Sequence, residues 1–133
     1  YENRVYDGLE EVLKKINEAG KQAIVATSKP EEYAKVIIDH FHLTKYFACV
    51  AGMEMDGGRG TKAQVITYAL EKNDITDKSK VLMIGDREHD VIGAHENGLD
   101  CLGILYGFGS RKEFEEAGAD YIRENVEEIL QFV

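Results

Sequence analysis

Short apolar runs alternate with amphipathic stretches along the whole chain, and this alternation limits the fold more than any other feature of the sequence. The runs are Gln22–Ala26, Phe47–Ala51, Val81–Ile84, Cys101–Leu105 and the shorter Tyr121–Ile122. Each is too short for a helix and unbroken in its apolar character, the pattern of strands buried on both faces of a parallel sheet. Between them lie helical patterns. Leu9, Val12, Leu13 and Ile16 recur at helical spacing, with Gly20 as a stop. A second helix is expected from the Thr27–Pro30 segment to about Phe41, a third over Lys62 to about Lys72, and a fourth from about Glu88 to Asn97, ended by Gly98. Capping boxes are read at Asp7–Glu10 and Ser110–Glu113, and Asn125–Glu128 caps the last helix. Strands alternating with helices of about ten residues predict βαβ units: an α/β, Rossmann-like parallel sheet with helices on both faces. In such sheets chemistry sits beyond the carboxyl ends of the strands.

The 133 residues suit one domain. Apolar residues at 44% and charged residues at 31% describe a soluble globular domain rather than a disordered segment. No apolar stretch approaches the roughly 20 residues that a membrane span needs, and no secretory signal opens the chain. A net charge of −9 with no local basic patch argues against nucleic acid. Cys49 and Cys101 lie in separate strand-like runs and read as free, buried thiols of a reducing, cytoplasmic compartment.

Three strand ends hold candidate chemistry. Gly85-Asp86-Arg87-Glu88-His89-Asp90 follows an apolar strand. Two carboxylates four residues apart, one before a helix and one in its first turn, can converge on a hard cation such as Mg²⁺. On spacing alone, an ordinary turn with Asp86 as cap and Asp90 as a favourable helix-start charge explains the run equally well. Thr27-Ser28 closes another strand, where a hydroxyl and free amides suit a phosphate oxygen and equally suit simple capping. Lys62 opens a helix, where its charge opposes the dipole; it is either held there for an anion or a solvated surface lysine. Arg59 and Arg87 could touch a substrate anion, but read rather as surface or salt-bridge residues. His89 reads as an exposed helix-turn histidine, and His40, His42 and His95 as structural. The acidic run from Glu113 to Glu128 reads as solvated helix faces.

Taken together and in order, these pieces resemble the haloacid dehalogenase (HAD) superfamily of phosphohydrolases, and within it the phosphoglycolate phosphatase and 5′-nucleotidase-like branch. The likeness rests on Ala23–Pro30 as a second motif, Lys62 as a third and Gly85–Asp90 as a fourth, with support from Asp7-Gly8-Leu9, Leu105–Ser110 and Glu116–Tyr121. The resemblance implies that Thr27 binds a phosphoryl oxygen with help from the Ser28 amide, that Lys62 neutralises the phosphoryl group and orients the nucleophile, that Asp86 ligates Mg²⁺, and that Asp90 ligates it or positions its water. Thr27 and Lys62 would be the catalytic residues. The substrate would be a small phosphorylated metabolite, and the reaction phosphomonoester hydrolysis through an aspartyl-phosphate. Lys62 departs from many relatives by standing in the first helical turn rather than before a proline-containing turn.

The family's first motif, an Asp-x-Asp-x-Thr run after an N-terminal strand, does not occur in the sequence. Residues 1–133 are therefore expected to form a partial HAD-like core carrying motifs two to four, the C-terminal portion of a longer protein. Tyr1, in place of Met, agrees. The resemblance puts the missing strand between those ending at Thr27 and Asp86, leaving a slot, and puts a helical cap in the missing segment. The missing N-terminal segment is then a partner of this chain, which alone would be inactive. A non-catalytic Mg²⁺ and phosphate-binding regulatory module is the alternative. A receiver-like signalling domain fits less well, because its lysine lies near the last strand.

Overall fold

The structure, a computed structural model, describes residues 8–54, 59–105 and 110–133. Helices and strands alternate in the expected order: α1 (Leu9–Glu18), β1 (Ala23–Pro30), α2 (Glu31–His40), β2 (Phe47–Met53), α3 (Lys62–Lys72), β3 (Leu82–Gly85), α4 (Glu88–Glu96), β4 (Asp100–Ile104), α5 (Arg111–Ala117) and β5 (Tyr121–Arg123). All strand pairings are parallel. β1 pairs with β2, and β3, β4 and β5 pair in that order, so the described residues form a two-stranded and a three-stranded sheet.

The two-residue strand period sorts side chains onto the two faces. From β4, Cys101 packs with Ile66 and Leu70 of α3, Val91 and Ala94 of α4 and Phe114 of α5. Its neighbours Leu102 and Ile104 pack on the opposite face with Val12 of α1 and with Val126 and Ile129. In the other sheet, Ile24 and Ala26 lie with Val65 and Ala69 of α3, whereas Ala23 lies with Leu13, Leu43 and Tyr46. Helices thus cover both faces, as the apolar runs predicted, and α3 spans the two sheets.

Burial separates the strands. Cys101, Leu102 and Ile104 of β4 are fully buried. Ala23–Thr27 and all of β3 are only half-buried. Between β1 and β3 lies a cleft of about 570 Å³, lined by Ile24, Ala26, Leu82, Met83, Ile84 and Phe132 among others. Its walls are the apolar edges of the two sheets.

Several boundaries differ from the sequence reading. β1 does not stop at Thr27; it runs to Pro30, which pairs with Met53. A proline disfavours helical backbone in the residue before it, so Lys29 stays extended and α2 cannot start earlier than Pro30. Neither Thr27 nor Ser28 caps α2: its N-cap is Pro30, with no side-chain cap hydrogen bond. The last helix is a 3₁₀ helix, Val126–Phe132. α1 begins after Gly8, held at φ 85°, without a side-chain cap; Asp7, read as its cap, lies outside the described residues, as do residues 106–109. The capping at Ser110 is present, with its Oγ accepting from Glu113 N at 3.1 Å. Both cysteines are free; Cys101 is buried and Cys49 only partly so. No described helix is long and apolar enough to cross a membrane.

Candidate functional site

The turn after β3 is organised around one carboxylate. Asp90, the third residue of α4, is 3% exposed. Its Oδ2 accepts the backbone N–H of Asp86 at 3.0 Å and of Arg87 at 3.2 Å. Reaching back to these amides brings the carboxylate against Gly85, where a Cβ would overlap it. The glycine therefore serves the close approach of the Asp90 carboxylate. The residue that caps α4 is Arg87. Asp86 stands one position earlier, so it is not the helix cap.

Asp90 Oδ1 faces Lys62 Nζ at 2.7 Å, with the two side chains 5% and 11% exposed. The approach is an ion pair rather than a well-angled hydrogen bond, and this buried oxygen has no hydrogen-bond partner among the described residues. Lys62 is the first residue of α3, behind Thr61, whose Oγ1 accepts from Gln64 N at 3.2 Å in a capping box. Its stem passes over Gly93 of α4, where a Cβ would stand 3.1 Å from Lys62 Cγ. The bland reading of Lys62 as a solvated surface residue is overturned. Its ammonium is drawn inward, and a buried ion pair of this kind persists only because both charges are matched.

Thr27 and Ser28 are placed differently. Thr27 is half-buried and Ser28 exposed in the second half of β1, ahead of Lys29 and Pro30. Thr27 Oγ1 accepts Lys29 N at 3.2 Å. Neither residue makes a hydrogen bond or ion pair with Lys62, Asp86 or Asp90 among the described residues. The structure brings the last three into one contact network and leaves the hydroxyl pair beside β1.

This geometry can be set against known proteins. A family model described as haloacid dehalogenase-like hydrolase matches residues 1–104. The chain belongs to that family. Among solved HAD-like structures, a predicted phosphatase from Clostridium acetobutylicum superposes with a TM-score of 0.93 at 45% identity, covering 96% of this chain and 59% of that one. A 5′-nucleotidase from Pseudomonas aeruginosa is 43% identical over 113 residues, 85% of this chain and 51% of its own length. A phosphoglycolate phosphatase from Vibrio parahaemolyticus is 24% identical over 131 residues, 98% of this chain and 57% of its own. The chain thus spans little more than half the length of each relative.

The HAD-like fold also carries polar contacts that the sequence reading missed. Glu113 is not a solvated acid of the Glu113–Glu128 run. Its Oε2 accepts Glu88 N at 2.6 Å and Arg87 Nε at 3.1 Å. These donors, the backbone amide first and the guanidinium second, hold its carboxyl below the usual range. Asp120 is likewise engaged, accepting from Cys101 N at 2.8 Å and meeting His95 Nε2 at 2.8 Å. Buried Asn97 donates to Ala63 O and Gly93 O, both at 3.0 Å, fastening the first turn of α3 to α4. Arg59, read as a salt-bridge residue, is one: it meets Glu31 at 3.0 Å and Glu54 at 2.6 Å. It also donates to Gly52 O and lies 3.8 Å from the Tyr68 ring centroid. Arg87 is the other salt-bridge residue, on Glu113. The capping signal at Ser110 marked Glu113 as a helix-start residue, but nothing local pointed it at a turn 25 residues away.

The residues present fit a magnesium ion, which the family resemblance implies. The Asp86 carboxylate makes no hydrogen bond or ion pair among the described residues, and it is a hard oxygen donor. No group of three or more His, Cys, Asp or Glu gathers to hold a metal among those residues. Mg²⁺ does not need one, since it is commonly held by one or two carboxylates and keeps several waters.

Proposed function

We propose that the full-length protein is a Mg²⁺-dependent phosphomonoesterase, nucleotidase-like or phosphoglycolate phosphatase-like, to which this chain contributes phosphate and metal contacts. The observation that carries the proposal is the buried Lys62–Asp90 pair. One carboxylate shapes the Asp86 turn and also holds an inward-pointing cation, and a surface turn has no need of such an arrangement. Family membership and the phosphatase and nucleotidase relatives support the same class of reaction.

In this reading Asp86 holds the metal, with Asp90 fixing the turn on which Asp86 stands. Bound there, Mg²⁺ would supply Lewis-acid stabilisation of phosphoryl charge. Thr27 Oγ1 and the Ser28 amide would bind a phosphoryl oxygen. Lys62 would neutralise phosphoryl charge and orient the nucleophile. That nucleophile is an aspartate outside this chain, on a strand seated between β1 and β3. The apolar cleft between those strands supports this, because a parallel strand there would cover the half-buried walls of both sheets. The carboxylate attacks phosphorus, the ester P–O bond breaks, and the leaving oxygen takes a proton. Water then splits the aspartyl-phosphate into inorganic phosphate and the free carboxylate. The substrate is a small phosphorylated metabolite, met in the cytoplasm.

The test is phosphatase turnover of an aryl phosphate with Mg²⁺, by this chain and by the protein extended upstream of Tyr1. Turnover by the extended protein alone, lost on Asp86→Ala, is the expected result. If neither turns over while Mg²⁺ still binds, the enzyme reading gives way to a non-catalytic Mg²⁺ and phosphate-binding module.

A further inference from the structure

We infer that Glu113 is a positioning residue for the acidic turn, holding from outside the backbone on which Asp86 stands. The inference rests on the proposal that Asp86 binds a divalent cation. Three successive amides follow β3, and each is held by a carboxylate. Asp90 takes those of Asp86 and Arg87 from within the helix. Glu113 takes that of Glu88 from α5 and clamps the Arg87 side chain with the same oxygen. The Asp86 carboxylate has no such restraint among the described residues, so its direction is set by the backbone that these bonds fix.

Glu113 itself is well anchored. Its side chain is 19% exposed. The next residue, Phe114, is fully buried, with its ring against Gly103 of β4, where a Cβ would strike it. Phe114 N also donates to Ser110 O at 3.1 Å. The position of Glu113 is thus inherited from the core rather than from a mobile surface. With Asp90 paired to Lys62 and Glu113 to Arg87, the Asp86 carboxylate is the one of the three left for a divalent cation among the described residues. Partners that orient a ligand from outside its own coordination typically contribute 10- to 100-fold in metal affinity.

The experiment is calorimetric titration of Mg²⁺ into the full-length protein, with hydrogen exchange at the Arg87 and Glu88 amides as a second readout. Glu113→Ala is expected to weaken Mg²⁺ binding by about 10- to 100-fold and to speed exchange at Glu88. Glu113→Gln keeps an acceptor for Glu88 N and is expected to lose less. It also serves as the informative variant if Glu113→Ala does not fold. Glu116→Ala, with an exposed side chain, is expected to match the wild type. Asp86→Asn separates the two claims. If Asp86→Asn abolishes binding while Glu113→Ala and Glu113→Gln both bind Mg²⁺ as tightly as the wild type, the positioning role is overturned and the metal reading stands. If Asp86→Asn leaves the affinity unchanged, the metal reading itself fails, and this inference goes with it.

Discussion

The turn after β3 and the end of β1 are both strand ends with candidate chemistry, yet they are built by opposite means. At the first, carboxylates from α4 and α5 fix three consecutive amides, and a lysine from α3 meets the buried carboxylate of Asp90. At the second, the side-chain hydrogen bond found among the described residues is local, Thr27 Oγ1 accepting from Lys29 N. The difference follows from the surrounding sheets. β3 borders β4, whose Cys101, Leu102 and Ile104 are fully buried, and is overlaid by α4, so its turn is held by Asp90 of α4 together with Glu113 and Lys62 from other elements. β1 and β3 both line the apolar cleft, but no contact from α3, α4 or α5 of that kind reaches the Thr27 or Ser28 side chain among the described residues. A site assembled from these two ends has one half preset and the other dependent on what lies against β1.

The strongest way to break the comparison is to remove its pivot. Asp90→Ala leaves Lys62 buried without its counter-charge and frees two amides. Loss of one partner of a buried pair costs about 3–5 kcal/mol, so chemical denaturation of the full-length protein should show a fall of that order. A change below about 1 kcal/mol would mean that the pair is solvated and the turn not preset. Next comes Gly85→Ala, whose added methyl must displace the Asp90 carboxylate. Overpacking of this kind costs about 1–3 kcal/mol, and the midpoint of denaturation measures it. At the other end, Thr27→Val should shift stability by no more than about 0.5 kcal/mol. Turnover should nevertheless fall roughly 10²-fold, as for loss of one donor to a charged oxygen. Equal losses at both ends would erase the distinction.

The smallest effect sharpens the β1 side. Glu31, at the start of α2, is pushed up by burial, but the Gly52 amide, Lys35 and Arg59 outweigh that and hold its carboxyl below the ordinary 4.5. A depressed folded-state pKa contributes stability above the unfolded value, and this is lost as pH falls through the folded one. The wild type should therefore lose stability below about pH 4.5, and Glu31→Gln should lose less over the same fall. Parallel acid-denaturation curves would show that the Glu31–Arg59 contact holds nothing.

The fold was legible where a pattern is local. Unbroken runs such as Cys101–Leu105 read as buried strands because parallel strands are apolar on both faces. Gly20 and Gly98 marked helix ends, and each adopts positive φ. The reading erred where a distant partner decides. Glu113 and Asp120 looked solvated in a run of acids, yet both are bound by groups about 20 or more residues away. β1 was drawn too short because its last pairing, Pro30 with Met53, belongs to another strand.

The sequence by itself determined the order of strands and helices, the parallel sheet class and the strand ends where chemistry could sit. These follow from periodicity and turn chemistry within a few residues. Only the tertiary structure decided that Lys62 points inward onto Asp90, that Gly85 is there for the Asp90 carboxylate, and that Glu113 reaches the Asp86 turn. Each of these depends on helices brought together by burial of Ile66, Val91 and Phe114, and that packing carries no signature at the positions it unites.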